Sequence, residues 1–201
     1  MENMLLEIDG SIGLNKITGE LKKSWGKYLI YHIYNVEETD YVSFYENLAS
    51  ELGSIQDCRP VNSADKKFAK SRDIKFNSDD YHFYSARTRQ PYHTDHAYYP
   101  VDKSPDWAMM YCLEPSEFGG CTRFLTAHKL KTILEKYDMD LLSKLSIEAT
   151  WSYEGEQGPE IVRKPILVDD RINWNYWQLK QDLNSESVMS VREEFFKFME
   201  D

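Results

Sequence analysis

Two residues, His93 and Asp95, constrain this chain more than any others. They sit in the run Tyr84 to Phe124, YSARTRQPYHTDHAYYPVDKSPDWAMMYCLEPSEFGGCTRF. If the segment is a strand, side chains at i and i+2 share a face, so imidazole and carboxylate converge on one ion about 2 Å from each. Such a pair makes two thirds of a 2-His-1-carboxylate facial triad, whose open positions serve an Fe(II) oxygenase. Downstream, Ala97–Pro100 and a turn-rich run through Pro105 lead to an apolar segment, Trp107–Leu113, that predicts a strand. Gly119 and Gly120 follow, where backbone at positive φ or passing close to a ligand requires glycine; an ordinary hairpin turn is the plain alternative.

The order H-T-D at 93–95, MMYCLEP at 109–115 and GGCT at 119–122 resembles the taurine dioxygenase-like family of Fe(II)/2-oxoglutarate-dependent oxygenases. The resemblance implies a double-stranded β-helix, or jelly roll, with flanking helices. It makes His93 and Asp95 iron ligands and has Thr122 hydrogen-bond a carboxylate of the cosubstrate 2-oxoglutarate. It implies O2 as co-reactant and oxidation of an unactivated C–H bond. Retention of Asp95 favours hydroxylation over halogenation, because halogenating relatives replace this carboxylate by a small residue. Arg89 shares strand parity with His93, which suits either a grip on an anionic substrate group or a surface ion pair with a carboxylate. His96 is off parity and is expected to border the substrate rather than ligate. Arg87 and the aromatic Tyr98 and Tyr99 suit a small polar, amino-acid-like substrate.

The remaining composition narrows the setting. The 201 residues, 41% hydrophobic, suffice for one domain, so a single jelly-roll domain over 1–201 is expected. A net charge of −10 disfavours nucleic acid and anionic membranes as partners. The three cysteines, Cys58, Cys112 and Cys121, show no disulfide spacing and read as core thiols in a reducing cytoplasm. The N-terminus carries no secretory signal pattern, and no apolar run is long enough to span a membrane.

Along the chain, capping and periodicity predict helices over Asn15–Ser24, with Asn15 as N-cap, and Glu38–Leu52, capped by Thr39 or Asp40. Two more follow Thr126 and Asp138, and a last one opens at a Ser190–Glu193 capping box. Strands are predicted at Tyr28–Tyr34, Tyr81–Ala86, Lys144–Tyr153, Ile161–Val168 and Arg171–Trp177, with Trp174, Tyr176 and Trp177 in the core or on a hydrophobic wall. Residues 55–80 read as a solvated loop or a lid over the site. Phe195, Phe196, Phe198 and Met199 call for a surface to dock on, such as a second chain or another copy.

No histidine lies beyond His128, so neither the family's distal iron histidine nor its 2-oxoglutarate-binding arginine is assigned. Three explanations stand: a fragment of a longer enzyme, a partner chain that completes the site, or a degenerate relative that binds without catalysing. The rival enzyme is a zinc hydrolase using His93, Asp95 and His96 or His82, although no H-E-x-x-H helix supports it. The rival outside enzymology is a binding or scaffold subunit.

Overall fold

The computed structural model describes residues 3–56, 74–75, 89–155 and 158–200. The expected strand at Tyr81–Ala86, Cys58, His82, Arg87 and nearly all of the 55–80 loop lie outside them. The chain divides into two compact units, Met1–Ile74 and Lys75–Asp201.

The first unit starts with a strand, β1 (Asn3–Asp9), that pairs in parallel with β2 (Tyr28–Tyr34), with Leu6 opposite Tyr31 and Ile8 opposite Ile33. A parallel pair needs a crossover, and helix α1 (Leu14–Ser24) supplies it. Asn15 is inside this helix. Its N-cap is Gly13, whose left-handed φ of 85° lets its carbonyl accept from the amides of Lys16 and Ile17. Helix α2 (Tyr41–Leu52) is capped by Asp40, whose carboxylate accepts from the Ser43 amide at 3.1 Å, and closes with the Gly53 amide on the Ala49 carbonyl. Ile17, Leu21, Phe44 and Leu48 bury their side chains with Ile8, each burial favouring folding by about 1.5–3 kcal/mol. Gly10 admits no side chain, because a Cβ there would lie 2.7 Å from the Tyr34 carbonyl oxygen.

The second unit holds helices α3 (Ala127–Tyr137) and α4 (Met139–Lys144), capped by Thr126 and Asp138 as their sequences predict. Then comes an antiparallel hairpin of β3 (Glu148–Gly155) and β4 (Gly158–Pro165). The strand expected from Lys144 begins four residues later, since Lys144 ends α4 and its carbonyl accepts from the Ile147 amide. A short second hairpin, β5 (Leu167–Val168) and β6 (Arg171–Ile172), turns at Asp169-Asp170 with Asp169 at φ 51°. The predicted strand over Arg171–Trp177 stops at Ile172, and Tyr176–Gln178 forms a 3-10 turn. Trp174 is buried, Tyr176 packs beside it, and Trp177 is exposed.

Helix α5 (Glu186–Glu200) starts before the expected capping box; the Ser185 carbonyl accepts from the Met189 amide, so Ser190 is mid-helix. Phe195 is fully buried, and Phe196, Phe198 and Met199 pack against the same core. The apolar residues that called for a docking surface thus find one within their own unit.

Between Asp106 and Phe124 the chain departs most from its sequence pattern. The segment is exposed and without regular structure, so Trp107–Leu113 is not a strand, and Cys112 and Cys121 are exposed thiols rather than core ones. No described residues pair with it in a sheet. Among the described residues the sheets are three pairs of strands, and the expected jelly roll is not assembled from them. No described helix is long and apolar enough to cross a membrane.

Candidate metal centre at the His93–Asp95 turn

The H-T-D segment is a turn, not a strand. The Ala97 amide meets the Thr94 carbonyl at 3.2 Å, the Tyr99 amide meets that of His96 at 2.9 Å, and His96 adopts φ 55°. What fixes this turn is Thr94. Its amide donates to the Trp174 carbonyl at 2.7 Å, and its hydroxyl accepts from the Trp174 amide at 2.7 Å. The same hydroxyl lies 3.0 Å and 3.1 Å from the carbonyls of Ile172 and Trp174, either of which can take its single proton. Asn173 continues the connection, its amide on Ile166 and its side chain on the Pro165 carbonyl. The turn is therefore tied to the strand segment of the second unit.

On that frame His93 and Asp95 meet through the turn rather than through strand parity. His93 Nε2 lies 3.2 Å from Asp95 Oδ1, with the imidazole 28% and the carboxylate 68% exposed. His93 Nδ1 is 3.0 Å from the Pro91 carbonyl, an acceptor that holds the proton on Nδ1 and leaves Nε2 with its lone pair, the form a metal binds. The Gln90 side-chain nitrogen, 3.2 Å from Nε2, donates to that lone pair when the imidazole is neutral. The hydrogen bond to Asp95 raises the His93 pKa; burial opposes the rise, while the Pro91 carbonyl and the charge of Asp95 add to it.

These distances fit a cation. Two ligands each about 2.1 Å from one ion at right angles stand about 3 Å apart, close to the observed 3.2 Å. A neutral imidazole nitrogen beside a carboxylate also suits Fe(II) or Zn(II) by donor type. Among the described residues no group of three or more His, Cys, Asp or Glu side chains could hold a metal, and no third such side chain joins His93 and Asp95.

Thr122 lies in the exposed 106–124 segment. Gly119 and Gly120 adopt φ 77° and 72°, the left-handed turn their sequence predicts. Arg89 pairs with Glu200 at 3.3 Å and lies 5.7 Å over the Tyr92 ring. His96 packs edge-on to Tyr99 at 5.1 Å, and Tyr99 in turn lies 4.8 Å from Tyr153.

Sequence reasoning missed two residues beside this turn. Thr94 was legible only as the middle letter of H-T-D. Lys164 shares strand parity with Val162 and Ile166, a lysine where the pattern asks for a core residue. Its Nζ reaches the Tyr99 carbonyl, four residues past Asp95.

No curated protein and no solved structure matches the chain. The family model described as taurine catabolism dioxygenase TauD, TfdA family, matches residues 14–198. The chain accordingly belongs to the TauD/TfdA family, whose enzymes are Fe(II)- and 2-oxoglutarate-dependent oxygenases.

Proposed function

We propose that this chain carries part of the catalytic centre of an Fe(II)- and 2-oxoglutarate-dependent dioxygenase that oxidises a C–H bond of a small polar, amino-acid-like molecule. The observation that supports it best is the 3.2 Å approach of His93 Nε2 to Asp95 Oδ1, with Nδ1 committed to Pro91. His93 and Asp95 are the two iron ligands in this reading. The third, like the strands that complete the family's jelly roll as a single domain, comes from outside the described residues or from a second chain. Thr122 holds a 2-oxoglutarate carboxylate, and Arg89 and His96 face the substrate. Two exposed free thiols, Cys112 and Cys121, suit a reducing cytoplasm.

When bound, iron supplies the oxidation: 2-oxoglutarate and O2 become succinate and CO2, with one oxygen atom passing to succinate and the other to the substrate. The protein's own part is positional. Pro91 sets the imidazole tautomer, Thr94 holds the turn, and His96, Tyr98 and Tyr99 give the turn an aromatic flank.

The test is anaerobic addition of Fe(II) and 2-oxoglutarate. A weak visible charge-transfer band that disappears in Asp95→Ala supports the oxygenase. Absence of the band from protein that retains zinc after purification would overturn it. The second reading, a non-catalytic relative acting as a binding subunit, draws on the missing third ligand among the described residues. It predicts a folded, monodisperse complex with no iron requirement.

A further inference from the structure

Lys164 lies opposite Ala149 on the buried face of the β3–β4 hairpin, only 7% exposed. Among the described residues it is the only buried charged side chain. Taking an ammonium out of water is costly, and burial, more than any other cause, pushes the Lys164 pKa down to about 8. A methionine would fill the same space without that cost. What the ammonium adds is a bond that no apolar side chain can make: its Nζ donates to the Tyr99 carbonyl at 2.5 Å, across 65 residues of chain.

Tyr99 belongs to the 96–104 loop, which grows directly out of the His93–Asp95 turn. The Ala97 amide bonds the Thr94 carbonyl, the Tyr99 amide that of His96, and the Lys103 amide that of Pro100. Each of these bonds spans three residues, so they shape the loop without fixing it to the hairpin. Three side-chain contacts fix it: the Lys164 bond, the Tyr99 ring 4.8 Å from that of Tyr153, and Lys103 3.9 Å from the Glu160 carboxylate. The Lys103–Glu160 pair is half exposed and therefore weak, and the ring contact constrains direction little. Of the three, the Lys164 bond is the one that is buried, directional and charge-assisted. We infer that Lys164 is a positioning residue, whose ammonium pins the Tyr99 carbonyl to β4 and thereby sets where His96, Tyr98 and Tyr99 stand beside the His93–Asp95 turn. The plain alternative, a side chain that merely fills the core, explains the burial but not the charge. That this aromatic flank borders an oxygenase substrate rests on the function proposed above; the pin does not.

The experiment is amide hydrogen exchange, read by NMR on the metal-free full chain at about pH 7, where the lysine is charged, in wild type, Lys164→Met and Lys164→Arg. Lys164→Met is expected to speed exchange of the Tyr99 and Lys103 amides about tenfold, the scale of one hydrogen bond from a charged donor. It is also expected to remove the NOE between the His96 and Tyr99 rings, whose centroids lie 5.1 Å apart. The Leu145 amide, bonded to the Leu141 carbonyl in the core, is expected to exchange no faster than in wild type, because the replacement takes away a desolvated charge. Lys164→Arg, which keeps a charged donor, is expected to restore both the protection and the NOE. Loop amides unchanged in Lys164→Met, or loop and Leu145 amides accelerated alike, would overturn the proposal; the second outcome marks a residue that only fills the core. If Lys164→Met fails to fold, wild type decides: an NOE from the Lys164 ε-methylene to Tyr99 or Pro100 is expected, and its absence overturns the pin. Because neither metal nor substrate is added, a failed oxygenase assay and a failed pin are distinguishable.

Discussion

Thr94 and Trp174, 80 residues apart, satisfy each other's backbone: the Thr94 amide donates to the Trp174 carbonyl, and the Trp174 amide donates to the Thr94 hydroxyl, both at 2.7 Å. Replacing Thr94 by valine keeps the shape but strands the Trp174 amide. The expected cost is about 1–3 kcal/mol in urea unfolding, with serine recovering most of it. Metal affinity should fall alongside, because the turn that carries both ligands loosens. A valine variant as stable as wild type would show that the hydroxyl does not hold the turn.

His93 supplies a pH signature in the metal-free protein. Its folded pKa is raised, mainly by Asp95, so its stabilising contribution is complete below the unfolded value of about 6.5 and fades as pH rises through the folded value. NMR titration should find Asp95→Asn moving the His93 pKa downward. Metal needs the neutral imidazole, so binding to wild type should strengthen as pH rises through the folded pKa.

Lys164 behaves oppositely to a surface lysine. Its folded pKa of about 8 lies below the ordinary 10.5, so between these values the unfolded chain holds the extra proton. Stability should rise with pH across that window, and below about 8 the penalty for the buried ammonium is fully present. Lys164→Met should abolish this slope in urea melts recorded from pH 7.5 to 10.5.

Phe195 tests how α5 is held. Its ring is fully buried, 4.6 Å from that of Trp174. Phe195→Ala should cost about 3–5 kcal/mol at any protein concentration. A loss that grew on dilution would instead mean that the helix is covered by another copy.

Much of this architecture can be read from the residues alone. Asp40, Thr126 and Asp138 cap helices with the side chains their sequences offer, and Tyr28–Tyr34 is a strand because seven consecutive residues, LIYHIY preceded by tyrosine, leave little else. Local signals failed where distant contacts decide. β1, as long as β2 but without its aromatic and β-branched run, is not declared by its composition and exists through its pairing with β2. Trp107–Leu113 has the composition of a strand but joins no sheet among the described residues, and its Cys112 is exposed with it. At the site, the spacing of His93 and Asp95 foretold their meeting but not the turn that arranges it, since Thr94 finds its partners far along the chain.

The exposed run from Ala108 to Leu113 also has a colloidal consequence. Met109, Met110, Tyr111 and Leu113 are all open to solvent, the hexapeptide contains neither charge nor proline, and Phe118 beyond it is 90% exposed. Uncharged, apolar hexapeptides of this kind stack into cross-β ribbons when nothing covers them. Concentrated preparations should therefore cloud through this stretch, and a single aspartate at Met110 should act as a gatekeeper that keeps them clear.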